Sequence, residues 1–239
     1  MGFSYLVFDV DGTLLNFGHA YAQAQKAVAE KLGAAYSAEY IELDEKLDWK
    51  AWREFGLENT ALPDIQANYH TYYYRCLRRH FTYLVEALGL EYDVDKLVEC
   101  YLGSVAASQE WMEPGTLAIY QKLAAQYKLA LATNGVSRVQ RPRIEPLLPY
   151  TKSVFISEEM GYIKPAPAFF EKMLDSLGCC PTDCLMVGDS LSNDIAGAKA
   201  AGMHTCWYNP KGKEDTNRIG PGCTISSLGD LLPLCCQDF

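Results

Sequence analysis

No stretch of this chain carries the roughly 18 uninterrupted apolar residues that a membrane-spanning helix needs. Nor is there a run of basic residues: Lys+Arg number 21 against 30 Asp+Glu, a formal net charge of -9. That balance argues against nucleic-acid polymers and anionic membranes as partners, because both demand a basic surface. A small anionic substrate stays compatible, since a metal ion and one or two lysines override the average field locally. The opening Met1-Gly2-Phe3-Ser4 lacks the basic region of a secretory leader, and Leu6 breaks the myristoylation pattern that Gly2 would begin. Cysteine is present but poorly arranged for cross-linking. The nine residues are an odd number, two pairs are adjacent (Cys179-Cys180 and Cys235-Cys236), and Cys180 with Cys184 has no second metal half-site. Reduced thiols, mostly packed, in a cytoplasmic protein are the expectation.

What is present is an ordinary globular composition, 49% hydrophobic and 21% charged over 239 residues, enough for one large domain or a domain with an insertion. Short apolar runs at Tyr5–Phe8, 129–132, 154–156, 185–187 and 205–208 alternate with amphipathic stretches at 117–127, 139–147, 168–177 and 193–201. Strand, helix, strand at this spacing predicts an α/β fold, a Rossmann-like parallel sheet with crossover helices on both faces. Between about Asn16 and Glu113 the rhythm breaks, and four helical patterns (20–32, 38–55, 64–88 and 94–108) replace it. Gly33, Gly56 and Gly89 stand at plausible helix ends, and Pro114-Gly115 marks the return to the sheet. The expected division is a core of 1–16 and 113–239 with an all-helical, bundle-type insertion at 17–112.

Parallel sheets place ligands beyond the carboxyl ends of their strands. Here those ends read Asp9-Val10-Asp11-Gly12-Thr13, Thr133-Asn134-Gly135, Ser157-Glu158 and Gly188-Asp189-Ser190. Asp9 and Asp11 leave a buried strand on the same side of the chain, where desolvation and mutual repulsion make both charges costly. A divalent cation relieves both penalties; the plain alternative is an Asp-Gly turn. Asp189 and Asp194 offer further hard oxygen ligands, Thr133 and Asn134 a hydroxyl and backbone N–H groups, and Lys164 a fixed cation before Pro165. Oxygen donors without a His or Cys cluster suit Mg²⁺ better than zinc. Other readings stay open for single residues: Lys164 as a surface lysine, Thr133-Asn134-Gly135 as a strand-to-helix turn, Asp194 as the cap of a helix starting near Ile195.

Taken in order, Asp9-x-Asp11-Gly12-Thr13, Thr133-Asn134-Gly135, Lys164-Pro165 and Gly188-Asp189-x4-Asp194 resemble the four motifs of the haloacid dehalogenase superfamily, across essentially the whole chain. The helical insertion resembles that superfamily's bundle-type cap. Ile156 to Gly161, Met186 to Ser190 and Cys206-Trp207-Tyr208-Asn209 resemble the pyrimidine 5′-nucleotidase branch. The resemblance implies phosphoryl transfer in two steps, with Asp9 as nucleophile and Asp11 as general acid and base. It implies Mg²⁺ held by Asp9, Asp189 and the Asp11 carbonyl, with Asp194 behind them. Thr133, Asn134 and Lys164 would hold the phosphate. The implied partner is a small phosphomonoester, and the chain would act as a monomer or homodimer.

The insertion is rich in aromatic residues, and a nucleobase would stack on one or two of them while most fill the bundle core. Phe17 and His19, beside the first motif, and Trp49 and Trp52 are the candidate specificity residues. Arg75, Arg78 and Arg79 read as solvated or ion-paired. A pyrimidine nucleoside 5′-monophosphate is the expected substrate. A phosphosugar phosphatase or a β-phosphoglucomutase-like phosphomutase is the alternative. Dehalogenation fits less well, because a carbon–halogen bond needs neither the proton of Asp11 nor Mg²⁺.

Overall fold

The computed structural model describes residues 3–234, so Met1, Gly2 and the Cys235-Cys236 pair lie outside it. Six parallel strands form one sheet: β1 (Tyr5–Phe8), β2 (Lys128–Thr133), β3 (Thr151–Ile156), β4 (Cys184–Gly188), β5 (His204–Tyr208) and β6 (Cys223–Ile225). Their spatial order is β3-β2-β1-β4-β5-β6. The chain therefore winds outward from β1 on one side, then restarts at β4 on the other. The crevice where that order reverses lies at the carboxyl ends of β1 and β4.

Burial on both faces explains why the strands read as continuous apolar runs. Leu6 and Phe8 point into one cluster with Leu129, Leu131, Leu185 and Val187, covered by α5 (Thr116–Ala124) through Tyr120 and Leu123. Tyr5 and Val7 point into the other, with Ala130, Ala132 and Met186, under Phe169, Phe170 and Met173 of α8 (Pro167–Leu177).

Between β1 and β2 the chain builds an inserted helical cap from α1 (Phe17–Leu32), α2 (Ala38–Glu54), α3 (Pro63–Ala87) and α4 (Val94–Ala107). Its starts are set locally: the side chains of Asn16, Ser37 and Asp93 accept hydrogen bonds from first-turn amides, and Pro63 opens α3. Ala20, Ala24, Val28, Leu77, Phe81, Leu84, Leu97 and Leu102 fill the bundle. The entering and returning segments run side by side, Asn16 N–H to Glu110 O at 2.8 Å and Met112 N–H to Leu14 O at 2.9 Å.

Three local readings of the sequence need correction. The helix expected at 139–147 is α6 (Ser137–Arg143) followed by a 3₁₀ turn, Glu145–Tyr150; Pro146 supplies no N–H to continue an α-helix and restricts the residue before it. The helix expected at 193–201 begins earlier, as a wide π-helical turn (Leu191–Ile195) leading into α9 (Ala196–Ala200), and Ser190 rather than Asp194 caps it. Finally, β6 was not foreseen, because it is three residues long with one buried. Two short helices complete the chain, α7 (Ser157–Met160) and α10 (Leu231–Leu234).

Candidate active site

Asp9 leaves β1 with its N–H bonded to Val187 O at 2.9 Å, which fixes it beside the end of β4. Gly12 then turns the chain at φ +87°, and a Cβ there would sit 2.8 Å from the Asp189 carboxylate. Glycine is thus required both for the left-handed backbone and for the close approach. The Thr13 hydroxyl donates to Asp9 Oδ2 at 3.3 Å and accepts from the Asp189 N–H at 3.1 Å, tying the two strand ends together. Trp207 adds a bond from Nε1 to Asp189 O at 3.0 Å.

Lys164, fully buried, donates from Nζ to Asp9 Oδ1 at 2.7 Å, Asp194 Oδ1 at 2.6 Å and Ala132 O at 2.6 Å. All three donor positions of the ammonium are filled. Burial alone would lower its pKa, but the carboxylates of Asp194 and Asp9 outweigh that and hold it above the usual lysine range. Asn134 supports this lysine through its side chain: Oδ1 accepts from Lys164 N–H at 2.8 Å and Nδ2 donates to Lys164 O at 2.9 Å. Asp194 is fully buried inside its π turn, and its Oδ2 accepts from Ser190 N–H at 3.1 Å.

One oxygen from each of Asp9, Asp189 and Asp194 lies within 4.8 Å of the others. Burial, together with neighbouring negative charge, pushes Asp9 up to about 7 and Asp189 up to about 6; burial also raises Asp194. Three hard oxygen donors, two buried and Asp189 half-buried, against one lysine leave an excess of negative charge, and this set fits a small divalent cation. Among the described residues this is the cluster whose geometry suits a metal.

Asp11 faces the open side. Its Oδ2 accepts from Gln140 Nε2 at 2.7 Å and its Oδ1 from Arg143 Nη1 at 2.5 Å. Gln140 also donates to Thr133 Oγ1 at 2.8 Å, so Thr133 and Asp11 share one amide. Sequence reasoning missed both residues. A signal was present: Val139, Arg143 and Leu147 recur every four residues, which puts a charge inside an apolar stripe.

Asp11 also lines a cavity of about 360 Å³ between the strand ends and the cap. Its walls include Phe17, Trp49, Trp52, Tyr69, Tyr73 and Tyr101. Tyr69 and Tyr73 stack with centroids 6.1 Å apart, and Trp52 meets each edge-on at 6.3 Å. Phe55, Tyr72 and Tyr83 instead pack around Leu57, Ile65 and Ile163. His19 does not reach the cavity: Asn16 caps α1 through the His19 N–H, and the exposed side chain lies with Gln23 and Ser104 on another surface. A second opening below Asp11 and Asp189 is bordered by Lys211 and Lys213. Arg78 pairs with Asp95 and Arg79 with Glu54, while Arg75 lies over the Phe55 ring. No disulfide joins the cysteines of the described residues, and no described helix is long and apolar enough to cross a membrane.

The chain is similar to known proteins in sequence and in fold. The chain is 29% identical to the pyrimidine 5′-nucleotidase PynA of Streptococcus pneumoniae over 97% of its length and 94% of that protein. It is 30% identical to the N-acylneuraminate-9-phosphatase of Homo sapiens over 86% of this chain and 82% of that one. A crystal structure of the HAD-hydrolase YfnB from Bacillus subtilis, bound to magnesium and described as revealing interdomain movement, superposes with a TM-score of 0.83. It is 28% identical, over 98% of this chain and 99% of YfnB. The model of one family spans residues 3–202, from the first strand through the segment that presents Asp189 and Asp194. With its sheet order, inserted cap and acidic strand ends, the chain belongs to the haloacid dehalogenase-like hydrolases.

Proposed function

We propose that this chain is a Mg²⁺-dependent phosphomonoester hydrolase that works through an aspartyl-phosphate on Asp9, and that its substrate is a pyrimidine nucleoside 5′-monophosphate. The observation that carries the reading is one juxtaposition: Asp9, Asp189, Asp194 and Lys164 meet at the reversal point of the sheet, and the adjoining strand-end residues Asp11 and Asn134 line an aromatic cavity under the cap. Asp9, Asp189 and the Asp11 carbonyl would hold Mg²⁺, with Asp194 steadying Lys164 and the far side of the set. Bound there, the cation would supply charge neutralisation, both among the carboxylates and on the phosphoryl oxygens.

In the first step a carboxylate oxygen of Asp9 forms a bond to phosphorus, and the bond from phosphorus to the ester oxygen breaks. Asp11 gives its proton to that oxygen. In the second step Asp11 takes a proton from water, which attacks the phosphorus and releases Asp9. Lys164, the Thr133 hydroxyl and the Asn134 N–H would neutralise the remaining phosphoryl oxygens. Gln140 and Arg143 hold Asp11 in the cavity wall, where the leaving group would lie. We assign residues 17–112 as the cap and 1–16 with 113–239 as the core, with hinges at 16–18 and 114–115. The setting is cytoplasmic, with the chain a monomer or homodimer.

The likeness to PynA supports a nucleotide, and the flat rings of the cavity suit a base. The likeness to N-acylneuraminate-9-phosphatase favours a second reading, a sugar phosphate. Phosphate release measured across nucleoside monophosphates and sugar phosphates, with Mg²⁺ present, separates the two. Preference for a uridine or thymidine monophosphate is expected; preference for a sugar phosphate would replace the first reading with the second.

A further inference from the structure

One carboxylate in the wall of the aromatic cavity takes no part in the chemistry assigned to Asp9. Asp48, on α2, lines the cavity with Tyr21, and its side chain is 29% exposed. The polar groups facing it both stand off at 3.5 Å, the Tyr21 hydroxyl from Oδ2 and His80 Nδ1 from Oδ1. His80 cannot close that gap freely. The ring is buried, its Nε2 is bound to Asp44 Oδ1 at 2.9 Å, and Gln25 Nε2 holds the other oxygen of Asp44 at 2.9 Å. His80 Nδ1 itself is buried without a hydrogen bond. Burial accordingly raises the Asp48 carboxyl, against the opposing influence of His80.

A carboxylate among aromatic rings without a close donor carries an uncompensated desolvation cost. A ligand that brings an N–H into the cavity removes it. Tyr21 supplies the matching half: its hydroxyl, held only by the 3.5 Å contact, can turn to donate instead to the ligand. An acceptor beside a donor complements a ring edge on which an N–H lies beside a carbonyl oxygen. Tyr69, Tyr73 and Trp52 give the flat walls such a ring requires, and about 360 Å³ is within the range of small-molecule sites.

We propose that Asp48 accepts a hydrogen bond from the ring N–H of the substrate's base while Tyr21 donates to the neighbouring carbonyl, so that the pair selects a uracil- or thymine-type ring. This rests on the nucleotide reading above. The test measures kcat and KM for uridine monophosphate, its N3-methylated form and phenyl phosphate, in the wild type and in Asp48→Ala. Asp48→Ala lowers the ratio of kcat/KM for uridine monophosphate to that for phenyl phosphate by about 10- to 100-fold, mainly through KM. N3-methylation costs the wild type a similar factor and costs the variant little more. Tyr21→Phe, which keeps the ring, lowers the same ratio by about 3- to 10-fold. A ratio in Asp48→Ala within about twofold of the wild type overturns the assignment, as does full turnover of the N3-methylated substrate by the wild type. If Asp48→Ala fails to fold, the two uridine substrates compared on the wild type decide alone. A wild type that hydrolyses phenyl phosphate but no nucleotide overturns the nucleotide reading itself, a result distinct from loss of the Asp48 contact.

Discussion

Lys164 concentrates the energetics of the site in one side chain. It is buried, triply bonded, and sits between two carboxylates whose own burial is costly. Removing one member of a buried ionic set leaves the others uncompensated, which costs about 3–5 kcal/mol. Lys164→Met is therefore expected to lower unfolding free energy by about that amount in denaturant titration and to abolish phosphate release. Asp9→Asn is the informative contrast. It removes the proposed nucleophile and one of the clustered charges, so turnover should be lost while the fold is retained, and the metal-free protein should melt no lower than the wild type. Substantial turnover in Asp9→Asn would refute the nucleophile assignment. Arg143 makes a subtler case, because its guanidinium touches Asp11 and lies 6.0 Å from the Phe17 ring centroid. Arg143→Ala should lower kcat by about 10- to 1,000-fold with KM little changed, the pattern expected if it orients Asp11. Loss of stability with kcat unchanged would make its role purely structural.

At the scale of elements, strand ends do the positioning, and each is locked to its neighbour by a side chain. Asn134 at the end of β2 clamps the Lys164 backbone by two bonds. Asn134→Ala should cost about 1–3 kcal/mol in stability and raise KM for any phosphomonoester, as Lys164 loses its fixed position. A variant with unaltered KM would show that the lysine is held by its ion pairs alone. The same scale explains what the sequence made legible. Parallel strands with buried faces leave contiguous apolar runs, and the strands end at Phe8, Thr133, Ile156 and Gly188, within one residue of the ends of those runs. The caps Asn16, Ser37 and Asp93 were not singled out, but the four cap helices were equally readable from periodicity, with Gly33, Gly56 and Gly89 at or just past the ends of the first three. Three kinds of feature were not. A three-residue edge strand such as β6 has no pattern to detect. The π turn at Leu191–Ile195 depends on Asp194 folding back onto Lys164, a partner 30 residues away. The cavity wall depends on how α1, α2 and α3 rotate against one another, which no local pattern around Tyr21 or Asp48 encodes.

For the whole molecule, the clustered acids link metal, protons and stability. Asp9 and Asp189 have folded-state values raised to about 7 and about 6, from an ordinary 3.8. Between those limits the folded protein binds more protons than the unfolded chain, so stability falls as pH rises. Lys164 is protonated throughout that window and adds no slope. The metal-free protein should thus melt at a lower temperature at pH 8 than at pH 5, and added Mg²⁺ should raise the melting temperature more at pH 8, where it does not compete with protons. A Mg²⁺ effect that is larger at pH 5 would contradict the assignment of these carboxylates as ligands. The cap joins the core by contacts of His70 Nε2 with Ser157 Oγ at 2.8 Å and of Thr60 Oγ1 with Asn193 Oδ1 at 2.8 Å. Those contacts, with the paired segments at Asn16 and Met112, shape the cavity in which the leaving group would sit. The central claim is that Asp9 carries the phosphoryl group between the two steps. Rapid acid quench during turnover with Mg²⁺, followed by peptide mass spectrometry, tests it directly. One phosphoryl group on the peptide containing Asp9, absent in Asp9→Asn, is the predicted result; steady phosphate release with Asp9 unmodified, or with the group on another residue, would contradict it.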